Sequence, residues 1–242
     1  ERQLHRMLAA MVVYGAVNGL PDIPDRLLAE RSRMLLSPLL SRFETSRVQR
    51  FAYWDGSRFL EGAEALHEAA YLRSRVYLRL SDGSEIWVNG DLFANWHLQV
   101  DGRDVELPPD GWVARGDGFE VLVGLNRQGD LFAAGRDGDR LWLDSPASAS
   151  EFRGLQAQGF VRLRPSLPGR PARLETLRDT QSIQLSAGAL GLQQIGSLHI
   201  LQGPPSLRPQ WHAPVWIFPD LPADTVLQLH ERGSSPDANF SP

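Results

Sequence analysis

Four carboxylates stand near the ends of extended runs: Asp55, Glu85, Asp144 and Glu175. Two such acids facing each other across roughly 5–10 Å can hydrolyse a glycosidic bond, one as general acid and the other as nucleophile or base. Nothing in their spacing along the chain brings any two together, and acids at strand ends are commonly solvated turn residues. No catalytic residue is therefore assigned. The six histidines form neither H-x-H nor H-E-x-x-H, and the absence of cysteine removes thiolate metal sites, a Cys nucleophile and disulfides. No metal site is expected. His212, in "WHAPVW", reads as a structural histidine. "GRDGDR" and "GDGF" lack the D-x-[DN]-x-[DN]-G progression and distal Glu of a calcium loop, so they read as turns. Neither a P-loop nor G-x-S-x-G occurs, and no cofactor is expected.

Aromatic side chains offer a different chemistry, because the C–H face of a sugar ring stacks on an aromatic plane. All seven tryptophans follow residue 50. Trp96, Trp112 and Trp142 have apolar neighbours two residues away and read as core. Tyr53, Trp54, Tyr77 and Trp87 are the candidate carbohydrate-binding residues, the last two from the outward face of a hairpin.

The elements that must position these residues change period along the chain. Leu4, Met7, Leu8, Met11 and Val12 recur at helical spacing, which Gly15, Asn18 and Gly19 weaken and Pro21 ends. "DIPDRLLAE" opens a second helix, with Asp22 as the acceptor for free N–H groups, Pro24 in the first turn and Asp25 complementing the dipole. Ser37-Pro38 is expected to interrupt that helix, with Ser37 capping a restart. "VQRFAYWDG" reads as a strand and "EGAEALHEAAYL" as an ambiguous, helix-like insertion. Beyond it, short extended runs are predicted near 75–80, 84–89, 95–100, 103–107, 112–115, 119–125, 130–134, 140–144, 159–164, 172–177, 181–186, 197–202, 214–218 and 224–230. The expected fold is mainly β, an antiparallel sandwich preceded by two N-terminal helices. It divides into a helical segment 1–47, an all-β domain 48–232 and a disordered tail 233–242.

Three Asp-Gly pairs set the registers between Val76 and Ala114. A three-residue loop Ser81-Asp82-Gly83, with Gly83 left-handed, puts Leu80 opposite Ser84, Leu78 opposite Ile86 and Val76 opposite Val88. The aliphatic side chains then share one face and Tyr77–Trp87 and Arg79–Glu85 the other. A two-residue Asp101-Gly102 loop puts Val100 opposite Arg103, Leu98 opposite Val105 and Trp96 opposite Leu107. Pro108-Pro109 before Asp110-Gly111 removes two ladder donors, so that pair is expected to form a corner carrying the chain from one sheet to another.

Composition bounds the partners. The 242 residues hold 25 basic side chains, all arginine, scattered among 29 acids for a net charge of −4. No basic stripe exists for nucleic acid. The lack of lysine reads as codon usage. No run of about 18 apolar residues suggests a membrane span. The chain starts at Glu1 inside a helical pattern, which fits a processed or truncated product. The two helices are too short to bury their own stripe, so a cover is expected, either from this chain or from a body of protein lying before Glu1.

"MLAAMVVYGAVNGLPD", "MLLSPLLSRF" and "VYLRLSDGSEIWVNGDLFANWHLQVDGRDVELPPDGWVA" together resemble the C-terminal end of large bacterial glycoside-hydrolase-like proteins. There, the last helices of a (β/α)₈ barrel lead into an all-β domain. "GDLFAAGRDGDRLWLDSP" resembles the strands that follow. The resemblance covers about the first 145 residues and rests on turn and core patterns. It implies a secreted or periplasmic accessory region that braces an upstream catalytic barrel, with polysaccharide as a possible ligand and the catalytic carboxylates outside this chain. The alternative from another class is a self-contained carbohydrate-binding or adhesion module. There the helices pack on the sheet, and burial of Leu4, Leu8, Met11, Leu27, Leu35 and Leu39 separates the two.

Overall fold

The computed structural model describes residues 2–15, 23–168, 170–192, 195–204, 209–212, 215–218 and 220–231. The chain is mainly β and divides into two compact units at Asp137/Gly138, not near residue 47. The tail 233–242, and Asn18, Gly19, Pro21 and Asp22, lie outside the described residues.

Unit 1 opens with α1 (Arg2–Tyr14), followed by Gly15 at φ +66°, and α2 (Arg26–Thr45). Asp25 is the N-cap of α2: its Oδ1 accepts from the N–H groups of Leu27 at 2.8 Å and Leu28 at 3.0 Å. Pro38 does not interrupt the helix. It is buried inside α2, which runs on for two further turns, and Ser37 caps nothing there. The apolar stripe that Leu35, Leu36 and Leu39 bury holds the helix continuous across the N–H that proline lacks.

The strands of unit 1 are β1 (Val48–Trp54) and β2 (Phe59–Leu60), then, after the short helix α3 (Gly62–His67) and a 3₁₀ turn at Ala70–Arg73, β3 (Arg75–Leu80), β4 (Glu85–Asn89), β5 (Trp96–Val100), β6 (Arg103–Leu107), β7 (Trp112–Gly116), β8 (Phe119–Leu125) and β9 (Leu131–Asp137). The insertion is thus helical. One antiparallel sheet runs β9-β8-β7-β4-β3-β1-β2, and β5–β6 form a separate pair.

Both Asp-Gly registers are as expected. Leu78 pairs with Ile86, Val76 with Val88, Tyr77 with Trp87 and Arg79 with Glu85, around Gly83 at φ +85°. Trp96 pairs with Leu107, Leu98 with Val105 and Val100 with Arg103, around Asp101 and Gly102 at φ +52° and +70°. Both central residues are left-handed, as a type I′ loop requires. Asp110-Gly111 is the corner: it takes the chain from the β5–β6 pair into β7 of the larger sheet.

The registers give the unit-1 sheet two unlike faces. On one lie Leu78, Ile86, Ala114 and Val121, cross-strand neighbours in that order. Here α1 and α2 pack: α1 lies against β4, and α2 against β8 and β9. Arg42 of α2 stacks its guanidinium 3.9 Å over the Phe119 ring and donates to the Asp117 carbonyl at 2.9 Å. Leu8, Met11, Leu35 and Leu39 are buried, and Leu4 and Leu27 half-buried. The helical stripe therefore needs no cover from outside residues 1–242, a correction to the expectation that its neighbour precedes Glu1. Accordingly, unit 1 is a sheet with helices on one face, and the helices are part of its core.

Unit 2 contains β10 (Arg140–Phe152), β11 (Leu155–Arg164), β12 (Ala172–Thr176), β13 (Gln181–Ser186), α4 (Ala187–Leu190), β14 (Ile195–Gln202), β15 (Gln210–His212), β16 (Val215–Ile217) and β17 (Val226–Glu231). β10 and β11 are longer than predicted and meet at Arg153-Gly154, both left-handed, a second tight loop without an Asp-Gly signature. The second half of β11 pairs with β12 and its first half with β13. The chain switches at Gly159, where φ is +132° and a Cβ would meet Thr180 Oγ1 at 2.6 Å. β17 joins β12, and β14 joins β17 as the last strand on that side.

Candidate functional site

The opposite face of the unit-1 sheet carries Tyr77, Trp87, Val113 and Leu122 in one row, with Arg79, Glu85, Arg115 and Glu120 in the next. Its cover is the β5–β6 pair. Arg103 on β6 reaches the buried Glu120, and Asp101 in the hairpin loop reaches Arg115. Across the sheet, Arg115 Nε donates to Glu85 Oε2 at 3.1 Å while the Tyr77 hydroxyl donates to Glu85 Oε1 at 2.6 Å. Burial and this hydrogen bond to Glu85 push the Tyr77 phenol up to about 12. Burial alone would raise Glu85, but the hydrogen bonds from Tyr77 and Arg115 outweigh it and hold the carboxyl below its ordinary value.

A hairpin is narrower than the sheet it covers, so this face stays partly open. A cleft of about 440 Å³ is lined by Trp54, Phe59, Trp87, Trp96, Leu98 and the polar side chains His97, Gln99 and Asp104. The rings form a connected group. Trp54 and Phe59 meet edge to face with centroids 4.9 Å apart, and Trp96 stands 6.3 Å from Trp54 and 6.1 Å from Phe59. Phe59 also packs 5.1 Å from Tyr77, which lies 5.2 Å from Trp87. On the polar side the Gln99 amide donates to Asp104, and His97 Nε2 stands 3.5 Å from Glu106.

Of the four aromatic candidates, the cleft gathers Trp54 and Trp87. Tyr53 is adjacent to Trp54 in β1 and so faces the other side of the sheet, where it packs against Leu60, Ala65 and Ala70. Tyr77 is only 6 % exposed and its hydroxyl is engaged by Glu85, so its ring has no free plane. Trp87 lines the cleft but is only 8 % exposed. The outward face of the β3–β4 hairpin is thus covered, and the cover comes from β5–β6, a pairing no local pattern announces. Nothing local in the sequence marks Phe59, His97, Gln99 and Asp104; alternation in "WHLQV" places His97 and Gln99 on one side, and only the fold brings them to Trp54. Trp96, Trp112 and Trp142 are buried, as their apolar neighbours suggest.

The four carboxylates each have their own engagements. Asp55 closes a turn by accepting the Arg58 and Ser57 N–H groups, which hold its carboxyl below the usual range. Glu85 belongs to the Tyr77–Arg115 network. Asp144 is buried in β10 with Arg178 at 3.5 Å, and Glu175 lies between Arg162 at 3.3 Å and Arg173 at 2.6 Å. No group of three His, Cys, Asp or Glu stands ready to hold a metal among the described residues. Nor is any helix among them long and apolar enough to cross a membrane. No protein-family model, no curated protein and no solved structure matches this chain.

Proposed function

We propose that residues 1–137 form a glycan-binding module whose site is the cleft between the unit-1 sheet and the β5–β6 hairpin. One observation carries this reading: the half-buried Trp54 and Phe59 open on a single cleft that the buried Trp87 and Trp96 back and that His97, Gln99 and Asp104 edge with hydrogen-bonding groups. Aromatic planes take the C–H faces of a pyranose, while amide, carboxylate and imidazole groups take its hydroxyls. The one carboxylate in the cleft's lining, Asp104, is hydrogen-bonded by Gln99, and the role proposed for the cleft is binding.

The accessory reading, in which this chain braces an upstream barrel, rests on the family resemblance, on a start inside a helical pattern and on helices in need of a cover. Their burial on β4, β8 and β9 supplies that cover within the chain and favours the self-contained module. A glycan array probed with residues 1–242, followed by calorimetry on the best ligand, tests the proposal. The expected result is binding that Trp54→Ala and Gln99→Ala each weaken. Absence of any glycan ligand, or binding indifferent to both substitutions, would overturn it.

A further inference from the structure

Histidines 31 residues apart in the sequence meet in unit 2. His199 on β14 and His230 on β17 occupy diagonal positions of an antiparallel pair, His199 opposite Gln228 and His230 opposite Ser197. Their ring centroids lie 4.9 Å apart at an interplanar angle of 56°. This is not a stacked pair. Tilted ring pairs commonly lie this close, and it is also a spacing that two imidazoles reach when one nitrogen of each binds a common ion. With about 2.0 Å from metal to nitrogen and about 1.2 Å from nitrogen to ring centre, ligands at a tetrahedral angle have centroids about 5 Å apart.

We propose that His199 and His230 form a two-imidazole site for a borderline divalent transition-metal ion of the Zn²⁺, Ni²⁺ or Cu²⁺ class. Nitrogen donors select these ions over Mg²⁺ and Ca²⁺, which take oxygen. His199 is exposed and β14 ends its side of the sheet, so an ion can enter from solvent and keep its other positions for water. Both strands are fixed before the ion arrives, so the chelate costs little ordering. The cation would face the polar side of β17, with Gln228 between the two rings' strand positions and Arg173 opposite Gln228 on β12.

Calorimetric titration of residues 1–242 with Zn²⁺, and separately with Mg²⁺, tests the site. One Zn²⁺ per chain is expected, with no heat from Mg²⁺. His199→Ala and His230→Gln should each lose about a factor of ten or more in affinity. Zn²⁺ should also raise the Tm of the wild-type chain and leave that of either variant unmoved, because the ion ties β14 to β17. Should His230→Gln fail to fold, the ring-proton resonances of the wild-type protein decide: Zn²⁺ must shift His199 and His230 and spare His97 and His67. Zn²⁺ binding that both variants retain, or shifts confined to other histidines, would overturn the proposal.

Discussion

The two faces of the unit-1 sheet are made by the same strands, one residue out of step, yet they are finished by different means. Leu78, Ile86, Ala114 and Val121 meet two helices that bury them completely. Tyr77, Trp87, Arg115 and Glu120 meet a two-stranded hairpin, held by ion pairs at Arg103 and Asp101, that leaves a cleft beside it. Helices offer a continuous apolar stripe and close a face without polar groups to satisfy. A hairpin brings backbone edges and alternating side chains, so its contact surface is part apolar and part polar. Stability is therefore concentrated on one side of the sheet, and the proposed recognition lies on the other.

The largest effect should come from the aliphatic face. Leu78→Ala removes a fully buried side chain between strands and helices and should cost about 2–5 kcal/mol, the range for a core leucine. Urea melts would measure it, and glycan binding by the remaining folded protein should be unchanged. If binding fell in step with stability, the two faces would not be separable as argued.

Trp54→Ala probes the opposite face. Trp54 is only half-buried, so its loss should lower the melting temperature far less than Leu78→Ala does. Glycan affinity should fall about tenfold or more, equivalent to roughly 1.4 kcal/mol, because one stacking plane disappears. A Trp54→Phe variant should recover part of that loss.

A smaller effect is expected at the turn of the covering hairpin. Gly102 lies at φ +70°, and a Cβ there would meet no atom within 4 Å. Gly102→Ala therefore isolates backbone strain, expected at about 1 kcal/mol. The same substitution should loosen β5–β6 over Trp87 and raise the glycan dissociation rate, which stopped-flow tryptophan fluorescence can follow. A stability loss with an unchanged rate would show that the hairpin's cover does not define the cleft.

Much of this architecture was legible in the residues themselves. A one-residue slip would have scattered Leu78, Ile86 and Val88, so only one loop length suited each Asp-Gly pair, and both registers are those expected. What local pattern could not reveal was which distant element covers each face. Tyr77 and Trp87 looked outward because the hairpin β3–β4 taken alone has an outward face; β5–β6 then closes over it. Tyr53 and Trp54 stand side by side as candidates in the sequence, although alternation in β1 parts them. Pro38 reads locally as a break, yet tertiary burial of Leu35, Leu36 and Leu39 overrides it. His199 and His230 are brought together only by the β14–β17 register.

The smallest and most specific difference between the faces is electrostatic. Because Tyr77 and Arg115 hold Glu85 below its ordinary pKa despite burial, the folded state binds a proton there less readily than the unfolded chain does. Glu85 therefore contributes stability that is fully present above the unfolded value of about 4.3 and is lost as pH falls through the folded value. Tyr77 runs the other way. Its folded pKa of about 12 exceeds that of an unfolded tyrosine, so its contribution is present below about pH 10 and lost as pH rises toward 12. Urea melts across pH should show Glu85→Gln flattening the acid limb and Tyr77→Phe the alkaline limb, each by a modest amount. Leu78→Ala should lower the whole curve without changing its shape, since no proton is linked to a leucine. An acid limb equally steep in Glu85→Gln would mean that the charged row merely fills space beneath the hairpin and the two faces differ only in packing.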